Sequence, residues 1–234
     1  MMTVEDLDKN NAPSSQRRYK VMVSSSVLDF EDQLDVLCSY LNTLGYDVLC
    51  SKEGTIVADT RLGNFDNCYK AVEDCDLFLG IIRPYTGSGK KGGKSVTFQE
   101  FETARKYNKP AWYIVDKRVQ WASELCRSLV LRNKPLNMSQ WITGMLSTYR
   151  KMAVRKGKKL PKVLDVFGPD NSRRFSEECF EMEKFVNQKD EYYPSDGKII
   201  NNWMQYCGNL IEMQTWIKTN FGNHKMIESI VNEA

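Results

Sequence analysis

The chain contains a single histidine, His224, and no two cysteines spaced as Cys-x-x-Cys. One histidine near the C-terminus argues against a Ser-His-Asp triad and against a metal site built from several histidines. The cysteines are odd in number, seven, and scattered along the chain. This pattern indicates reduced thiols in a cytosolic protein rather than a disulfide framework or a zinc ribbon. We therefore expect a cytoplasmic protein without a resident metal.

The sequence also lacks any apolar run close to the roughly 20 residues that a membrane-spanning helix requires. Its polar N-terminus lacks the apolar stretch of a secretory signal. The charge is nearly balanced, with 33 basic and 30 acidic residues, so the total does not indicate a nucleic-acid partner. Apolar residues make up 41% of the 234 positions, which is enough for a sizeable core.

The chain divides into three predicted regions. Residues 1–18 show no periodicity, and we expect a disordered leader there. Residues 19–170 form the predicted α/β domain, and residues 171–234 are predicted as helices that pack on this domain or extend from it. The basic run 150–159 has no interleaved aromatic residues, so we interpret it as a solvated helix end and loop.

Five segments have the composition of strands, and helical patterns separate most of them. The strongest is 75–82, whose continuous apolar run is typical of a strand covered on both faces of a parallel sheet. We predict a flavodoxin-like α/β fold with a five-stranded, mainly parallel sheet in the order 2-1-3-4-5, helices on both faces and additional C-terminal helices. The predicted strands are 19–23, 47–51, 75–82, 110–115 and 162–167, and the predicted helices are 29–44, 64–74, 97–107, 118–133, 138–156, 173–188 and 197–221.

Open parallel sheets bind ligands outside the carboxyl ends of their strands. The segment Ser24–Phe30 follows the first strand, Arg83–Ser95 follows the third, and the helix that carries Glu100 begins directly afterwards. All three segments are polar, charged or rich in glycine, as a site for a phosphate-rich or ribose-bearing ligand requires. We therefore expect the functional site at this edge of the sheet.

The loop Gly87–Ser95 ends in Gly-Lys-Ser and so resembles part of a phosphate-binding loop. A Walker A motif requires a glycine five residues before this Gly-Lys-Ser, and Ser88 occupies that position. The loop also follows the third strand, whereas a nucleoside-triphosphate loop normally follows the first. We therefore do not expect ATP hydrolysis. Two interpretations stay open: a mobile basic flap over an anionic ligand, and an exposed flexible loop.

Glu100 is the candidate functional carboxylate. If the segment 97–104 is helical, Glu100 lies near the helix N-terminus, where the macrodipole favours an ionised side chain. Such a carboxylate can hydrogen-bond the hydroxyls of a ribose or stabilise an oxocarbenium-like centre, or it can simply complement the dipole. Glu102 is a rival, but it points roughly 200° around the helix axis from Glu100, so both cannot face one ligand.

Three stretches resemble, in the expected order, the uncharacterised TIR-like domains often found at the N-terminus of large signal-transducing NTPases of the STAND type. They are KVMVSSSVLDF (20–30), RPYTGS (83–88) and SVTFQEFETARKYNKPAWYIV (95–115), and the resemblance covers about residues 19–116. That family is similar to TIR domains and to nucleoside 2-deoxyribosyltransferases. The transferase pattern has a catalytic glutamate, an alanine four residues later and a Gly-Lys-Pro-like entry to the next strand.

Glu100 and Ala104 occupy the first two places of this pattern, and Asn108 stands where glycine is common. Asparagine also accepts a left-handed turn, so this change is compatible with the pattern. The transferases usually carry an Asp-x-Gly-Thr-like element before the glutamate, whereas this chain has Lys-Ser-Val-Thr at 94–97. That departure weakens the deoxyribosyltransferase interpretation and favours the TIR-like one.

The resemblance implies an enzyme that cleaves the nicotinamide–ribosyl bond of NAD, giving ADP-ribose or a cyclic or conjugated ADP-ribose signal, as in bacterial antiphage immunity. It implies NAD as the substrate without a further cofactor, a homo-oligomer, and a separate effector protein that responds to the product. Glu100 would be the catalytic residue. The implied substrate-binding residues are Ser24, Ser25, Ser26, Phe30, Arg83, Tyr85 and Ser95. Two alternatives stay open: a non-catalytic TIR-like assembly module, and a nucleoside deoxyribosyltransferase or nucleotide N-glycosidase.

Overall fold

The computed structural model describes residues 17–85, 90–91, 93–129, 178–187 and 203–233. Seven strands and seven helices lie in this part of the chain. In chain order they are β1 (Lys20–Ser25), α1 (Glu31–Thr43), β2 (Asp47–Leu49), α2 (Asn64–Asp74), β3 (Leu77–Ile82), β4 (Lys90–Lys91), β5 (Lys94–Ser95), α3 (Val96–Lys106), β6 (Ala111–Asp116), α4 (Lys117–Leu129), α5 (Glu178–Asn187), β7 (Trp203–Cys207), α6 (Leu210–Phe221) and α7 (His224–Glu233).

The main sheet has five strands in the order β2-β1-β3-β6-β7, and all four of its pairings are parallel. The short strands β4 and β5 form a separate antiparallel pair. Both β3 and β6 are buried along their whole length, as expected for strands covered by helices on each face. The prediction of an α/β fold with a five-stranded parallel sheet is therefore confirmed.

The fifth strand of the sheet is not the one that the sequence indicated. It is β7, which pairs with β6 from Trp112↔Trp203 to Asp116↔Cys207. The prediction of a helix across 197–221 is therefore wrong at Trp203–Cys207, and the C-terminal region supplies an edge strand as well as helices. The helix α6 begins only at Leu210, because the side chain of Asn209 accepts a 2.9 Å hydrogen bond from the amide of Glu212.

Several other sequence predictions fall outside the described residues. They are the first 16 residues of the leader predicted over 1–18, the strand 162–167, the helix 138–156 and the basic run 150–159. Among the described elements, the predicted helix 64–74 matches α2, and the predicted helix 97–107 matches α3 within one residue at each end.

Two apolar layers cover the sheet, one on each face. The layer on the first face contains buried side chains from α1, α6 and α7, and the layer on the second face contains buried side chains from α2, α3, α4 and α5. Because successive residues of a strand point to opposite faces, Met22 and Val23 of β1 belong to different layers. The helices that carry the candidate site residues therefore belong to the second face.

Two backbone positions explain how α3 reaches the sheet. Asn108 takes the left-handed conformation (φ +51°) directly after α3, as the sequence predicted. Gly80 lies in the middle of β3, where an added Cβ would come within 2.5 Å of the Phe101 ring and 2.7 Å of the Tyr113 ring. Only glycine leaves room for this close approach of α3 to β3.

No helix in the described ranges is both long and apolar enough to cross a membrane.

Candidate functional site

The helix that carries Glu100 is fixed at its N-terminus by two hydrogen bonds. The Ser95 hydroxyl accepts a 3.1 Å hydrogen bond from the amide of Phe98 and so caps α3. The Ser95 amide donates a 2.5 Å hydrogen bond to Oε1 of Glu178, which lies at the start of α5. Ser95, which the resemblance implied as a substrate-binding residue, therefore uses its hydroxyl to position α3.

Glu100 lies on the buried side of α3 and is only 4% exposed. The hydroxyl of Ser24, near the end of β1, donates a short hydrogen bond to Oε2 of Glu100. The thiol of Cys68 on α2 is also hydrogen-bonded to this carboxyl group. Three different elements thus meet at one carboxyl group.

Burial raises the pKa of Glu100 to about 7, because a desolvated carboxylate loses the stabilisation that water gives its charge. The hydrogen bonds from Ser24 and Cys68 act in the opposite direction and lower this pKa, since they stabilise the ionised form. Burial first, and then the neighbouring Glu100, raise the pKa of the Cys68 thiol to about 12. Cys68 therefore remains a thiol, and hence a donor, at neutral pH. A carboxyl group that titrates near neutrality is suited to catalysis.

Glu102 has a different environment. Its carboxylate forms an ion pair with Lys94 on β5, and both side chains are partly exposed to solvent. This position agrees with the predicted separation of Glu100 and Glu102 around the helix axis. Of the two glutamates, Glu100 is the one that faces the strand ends.

Arg83, the first residue after β3, is the main charged group of a second cluster. It is 5% exposed, and its guanidinium lies 4.2 Å from the ring centroid of Phe30. Nη1 of Arg83 donates a 2.8 Å hydrogen bond to the carbonyl of Leu28. Burial lowers the pKa of Arg83, and the positive charge of Arg118 lowers it further.

Tyr85 and Arg118 complete this second cluster. The Tyr85 ring centroid lies 5.8 Å from the guanidinium carbon of Arg83 and 5.7 Å from that of Arg118. Arg118 forms a bidentate ion pair with Asp116 at the end of β6, and the shortest distance, between Nη2 and Oδ2, is 2.6 Å. The carboxyl end of β6 therefore contributes to the same edge as β1 and β3.

The three serines after β1 have different roles. Ser24 holds Glu100, and the Ser25 hydroxyl donates a 3.1 Å hydrogen bond to the Ser26 carbonyl. The Ser26 side chain is 4% exposed, and its hydroxyl oxygen has no hydrogen-bond partner among the described residues. By the alternation of the strand, Ser24 points to the face of Glu100, and Ser26 lies one residue beyond the end of β1.

The structure thus divides the sequence-predicted residues into two groups. In the first group, Ser24 contacts Glu100 on the second face of the sheet. In the second group, Phe30 and Tyr85 contact Arg83. Phe30 belongs to the apolar layer of the first face. The groups meet at the ends of β1 and β3, which are adjacent in the sheet. Because β2 and β3 flank β1 on opposite sides, this is the point where the chain order reverses.

Three residues of these clusters were not found from the sequence: Cys68, Asp116 and Arg118. Asp116 and Arg118 follow the fourth strand of the predicted sheet, so the rule that ligands bind beyond strand ends could have identified them. Cys68 had no such indication, because its contact with Glu100 depends on how two helices pack.

Within the described ranges, no group of three or more histidine, cysteine, aspartate or glutamate side chains could hold a metal ion. The described cysteine side chains are free thiols.

The structure defines a doubly wound α/β domain with charged and hydroxyl groups gathered at the ends of β1 and β3. Residues 20–135 match the family model described as "Domain of unknown function (DUF4062)". The match includes every sequence-predicted site residue and extends beyond α4, but it ends before α5, β7, α6 and α7. No curated protein matches the chain.

Proposed function

We propose that this chain is an NAD-processing enzyme that cleaves the nicotinamide–ribosyl bond and gives ADP-ribose or a cyclic or conjugated ADP-ribose signal. The observation that supports this proposal is the position of Glu100, a buried carboxyl group held by Ser24 at the carboxyl end of β1. Its pKa of about 7 allows a substantial ionised fraction at neutral pH. A carboxylate in such a place can stabilise positive charge on a ribose.

In the proposed reaction, the bond between C1′ of the ribose and the nicotinamide nitrogen breaks. The bonding electron pair goes to the nicotinamide ring, which leaves as a neutral molecule, and positive charge develops on the ribose. The ionised Glu100 stabilises this charge electrostatically. A water molecule then adds to C1′ and loses a proton, which gives ADP-ribose. A nucleophile within the substrate would instead give a cyclic product, and a second molecule would give a conjugate.

The resemblance of three stretches to TIR-like domains supports the choice of NAD as substrate. By the same resemblance we propose a cytoplasmic role in bacterial antiphage immunity, in which a homo-oligomer makes a product that a separate effector protein detects. Exposed apolar side chains support the proposed homo-oligomer, because they can be buried between subunits. Trp203 on the edge strand β7 is 58% exposed, and Ile211 at the start of α6 is exposed as well. Light scattering that detects only a 27 kDa species at micromolar concentration, with and without NAD, would contradict the oligomer.

A non-catalytic assembly module is the second candidate, and one observation favours it. Glu100 is almost completely buried, and both of its described hydrogen-bond partners, Ser24 and Cys68, belong to the protein. A carboxyl group in this situation can have a purely structural role, in which it connects α3 with β1 and α2. The deoxyribosyltransferase alternative would use the same Glu100 on a nucleoside.

Incubation of the purified chain with NAD, and separately with a panel of nucleosides and deoxynucleosides, tests these candidates. Chromatography should detect nicotinamide and ADP-ribose or its cyclic form from NAD, and no free base from the nucleosides. Glu100→Gln keeps the shape of the side chain but removes its charge, so it should reduce NAD cleavage by about three orders of magnitude.

Glu102→Gln is the matched control, because Glu102 lies on the same helix and pairs only with Lys94 among the described residues. It should retain nearly full activity. If the Glu100→Gln protein cleaved NAD as fast as the wild type, or if activity depended on Glu102 instead, the proposed role of Glu100 would be refuted. Release of bases from nucleosides but not of nicotinamide from NAD would favour the transferase alternative.

A further inference from the structure

Two buried donors at the ends of adjacent strands have unsatisfied hydrogen-bonding capacity. They are Nε of Arg83 after β3 and the hydroxyl of Ser26 after β1, and neither has a hydrogen-bond partner among the described residues. Both side chains are at least 95% buried. Leaving a buried polar group unsatisfied destabilises the folded protein, and more so when the group is charged. An unsatisfied buried group in a native structure requires an explanation, and a ligand that binds it is one.

The guanidinium of Arg83 is also held in a fixed position. Its plane is restrained by the Phe30 ring at 4.2 Å, and Nη1 is bound to the Leu28 carbonyl. These contacts use an aromatic face and a neutral carbonyl, and neither cancels the positive charge. No carboxylate of the described residues lies within ion-pair distance of Arg83, although nearby Asp29 and Asp116 partly offset its charge.

A second arginine, Arg118, lies near Arg83. Arg118 is close enough to Arg83 to lower its pKa, and the carboxylate of Asp116 is bound in two places by Arg118. Tyr85 contacts both guanidinium groups and offers a phenolic hydroxyl. A fixed arginine with a second arginine nearby is the arrangement that binds phosphate oxygens, since guanidinium groups match them geometrically.

We propose that Arg83, with Arg118 and Tyr85 beside it and Ser26 at the end of the adjacent strand, forms an anion subsite that takes a phosphate group of a nucleotide. This inference deepens the proposed function and rests on it for the placement of the ribose at Glu100. The substrate then extends across the junction of β1 and β3, with the reacting ribose toward Glu100 and a phosphate toward Arg83. A nucleoside cannot occupy both positions, so the site selects nucleotides over nucleosides.

Calorimetric titration at fixed ionic strength tests the subsite with ADP, adenosine and inorganic pyrophosphate as probes, none of which contains the bond to be cleaved. The wild-type chain should bind ADP at least about tenfold more tightly than adenosine. Arg83→Met keeps an apolar stem against Phe30 but removes the charge, and should weaken ADP binding about tenfold to hundredfold while leaving adenosine binding unchanged. Ser26→Ala should show a smaller loss in the same direction.

Arg61→Gln is the control, because Arg61 is an exposed arginine paired with Asp59. It should bind ADP as the wild type does. Equal affinity for ADP and adenosine, no ADP binding at all, or an Arg83→Met protein with unchanged ADP affinity would overturn the proposal. If circular dichroism shows that Arg83→Met does not fold, competition decides: pyrophosphate that displaces ADP from the wild type supports the subsite, and pyrophosphate that does not displace it refutes the subsite.

The two proposals fail differently. If the chain binds ADP through Arg83 but leaves NAD intact, the anion subsite is supported and the proposed reaction is refuted. If the wild type and Arg83→Met cleave NAD with the same KM, and the wild type does not prefer ADP to adenosine, the reaction is supported and the subsite is refuted.

Discussion

The Ser24 hydroxyl donates a hydrogen bond to the carboxyl group of Glu100, which lies 76 positions further along the chain. Ser24 is paired in register with Gly80 of β3, and the missing side chain of Gly80 admits the Phe101 ring. Because Phe101 follows Glu100 on α3, this close contact brings the helix down onto the strand ends. The geometry at Glu100 therefore depends on an apolar contact as well as on the hydrogen bond.

The first prediction concerns the pH dependence of stability. The pKa of Glu100 is raised from 4.5 to about 7 in the folded chain. The folded protein therefore holds a proton that the unfolded chain releases between about pH 4.5 and pH 7. The free energy of unfolding should fall as the pH rises through this window, by up to about 3 kcal/mol, and should level off above it.

Urea unfolding at several pH values between 5 and 8 measures this fall. It should be absent from Glu100→Gln, which has no proton to release, and should persist in Glu102→Gln. Parallel curves of stability against pH for the wild type and Glu100→Gln would show that Glu100 titrates normally.

The second prediction concerns Cys68 and the pH dependence of activity. If the ionised Glu100 stabilises the ribosyl cation, NAD cleavage should rise with pH through about 7 and then reach a plateau. The hydrogen bonds from Ser24 and Cys68 lower the pKa of Glu100. Cys68→Ala removes one of them, so the rising limb of the pH–rate profile should move to higher pH.

Cys68→Ser is the matched control, because a hydroxyl can donate to the same carboxylate, and its profile should stay close to that of the wild type. A simple packing role for Cys68 would lower the activity of Cys68→Ala at every pH without moving the limb. An unshifted limb would thus show that the thiol does not influence Glu100.

The alternation of strands and helices predicts most of the fold, because it depends on local apolar patterns that the tertiary structure preserves. The segment 75–82 is an example, since its continuous apolar run corresponds to the fully buried β3. The strand Trp203–Cys207 was not predicted, because its local apolar pattern differs from the structure that it adopts. Its apolar residues continue into α6 at spacings of three and four, and only pairing with β6 makes this short segment a strand.

The candidate site was predictable to the extent that strand ends define it. The segments around Ser24, Arg83 and Glu100 follow from the rule that parallel strands present their carboxyl ends at one edge. The division of the site between two faces of the sheet was not predicted, because it depends on which layer receives each side chain. Ser95 was assigned to substrate by resemblance, although its position before a helix is typical of an N-cap.

The third prediction concerns Gly80. An added Cβ would lie 2.5 Å from Cζ of Phe101 and 2.7 Å from Cδ1 of Tyr113, and both rings are buried. Rigid rings cannot move aside as a flexible chain can, so Gly80→Ala should destabilise the fold by about 1–3 kcal/mol. It should also reduce NAD cleavage, because displacement of α3 moves Glu100 away from Ser24.

Urea denaturation and the NAD assay measure the two effects of Gly80→Ala. The control is Gly208→Ala, where the nearest atom to an added Cβ is Cδ of the flexible Lys117 side chain at 3.1 Å. It should be nearly neutral in both measurements. Wild-type stability and activity in Gly80→Ala would mean that α3 does not approach β3 as closely as described.

The last prediction is that a chain ending at residue 135, where the family match ends, does not fold by itself. Such a chain lacks β7, so β6 loses its paired neighbour along Trp112–Asp116. It also lacks α6, whose Phe221 is completely buried against the Tyr46 and Trp112 rings.

The hydroxyl of Tyr46 donates a 2.6 Å hydrogen bond to the carbonyl of Phe221. In the truncated chain, this buried hydroxyl and the apolar layer around it would be exposed to water, at a cost that exceeds the usual stability of a small domain. The truncated chain should show neither dispersed amide signals in NMR spectra nor a cooperative urea transition. Tyr46→Phe in the full chain provides a graded comparison: it removes only the hydrogen bond, and should lower the free energy of unfolding by about 1–2 kcal/mol while leaving the transition cooperative. A cooperative transition in the truncated chain would show instead that the matched region folds independently and that the C-terminal elements are an addition to it.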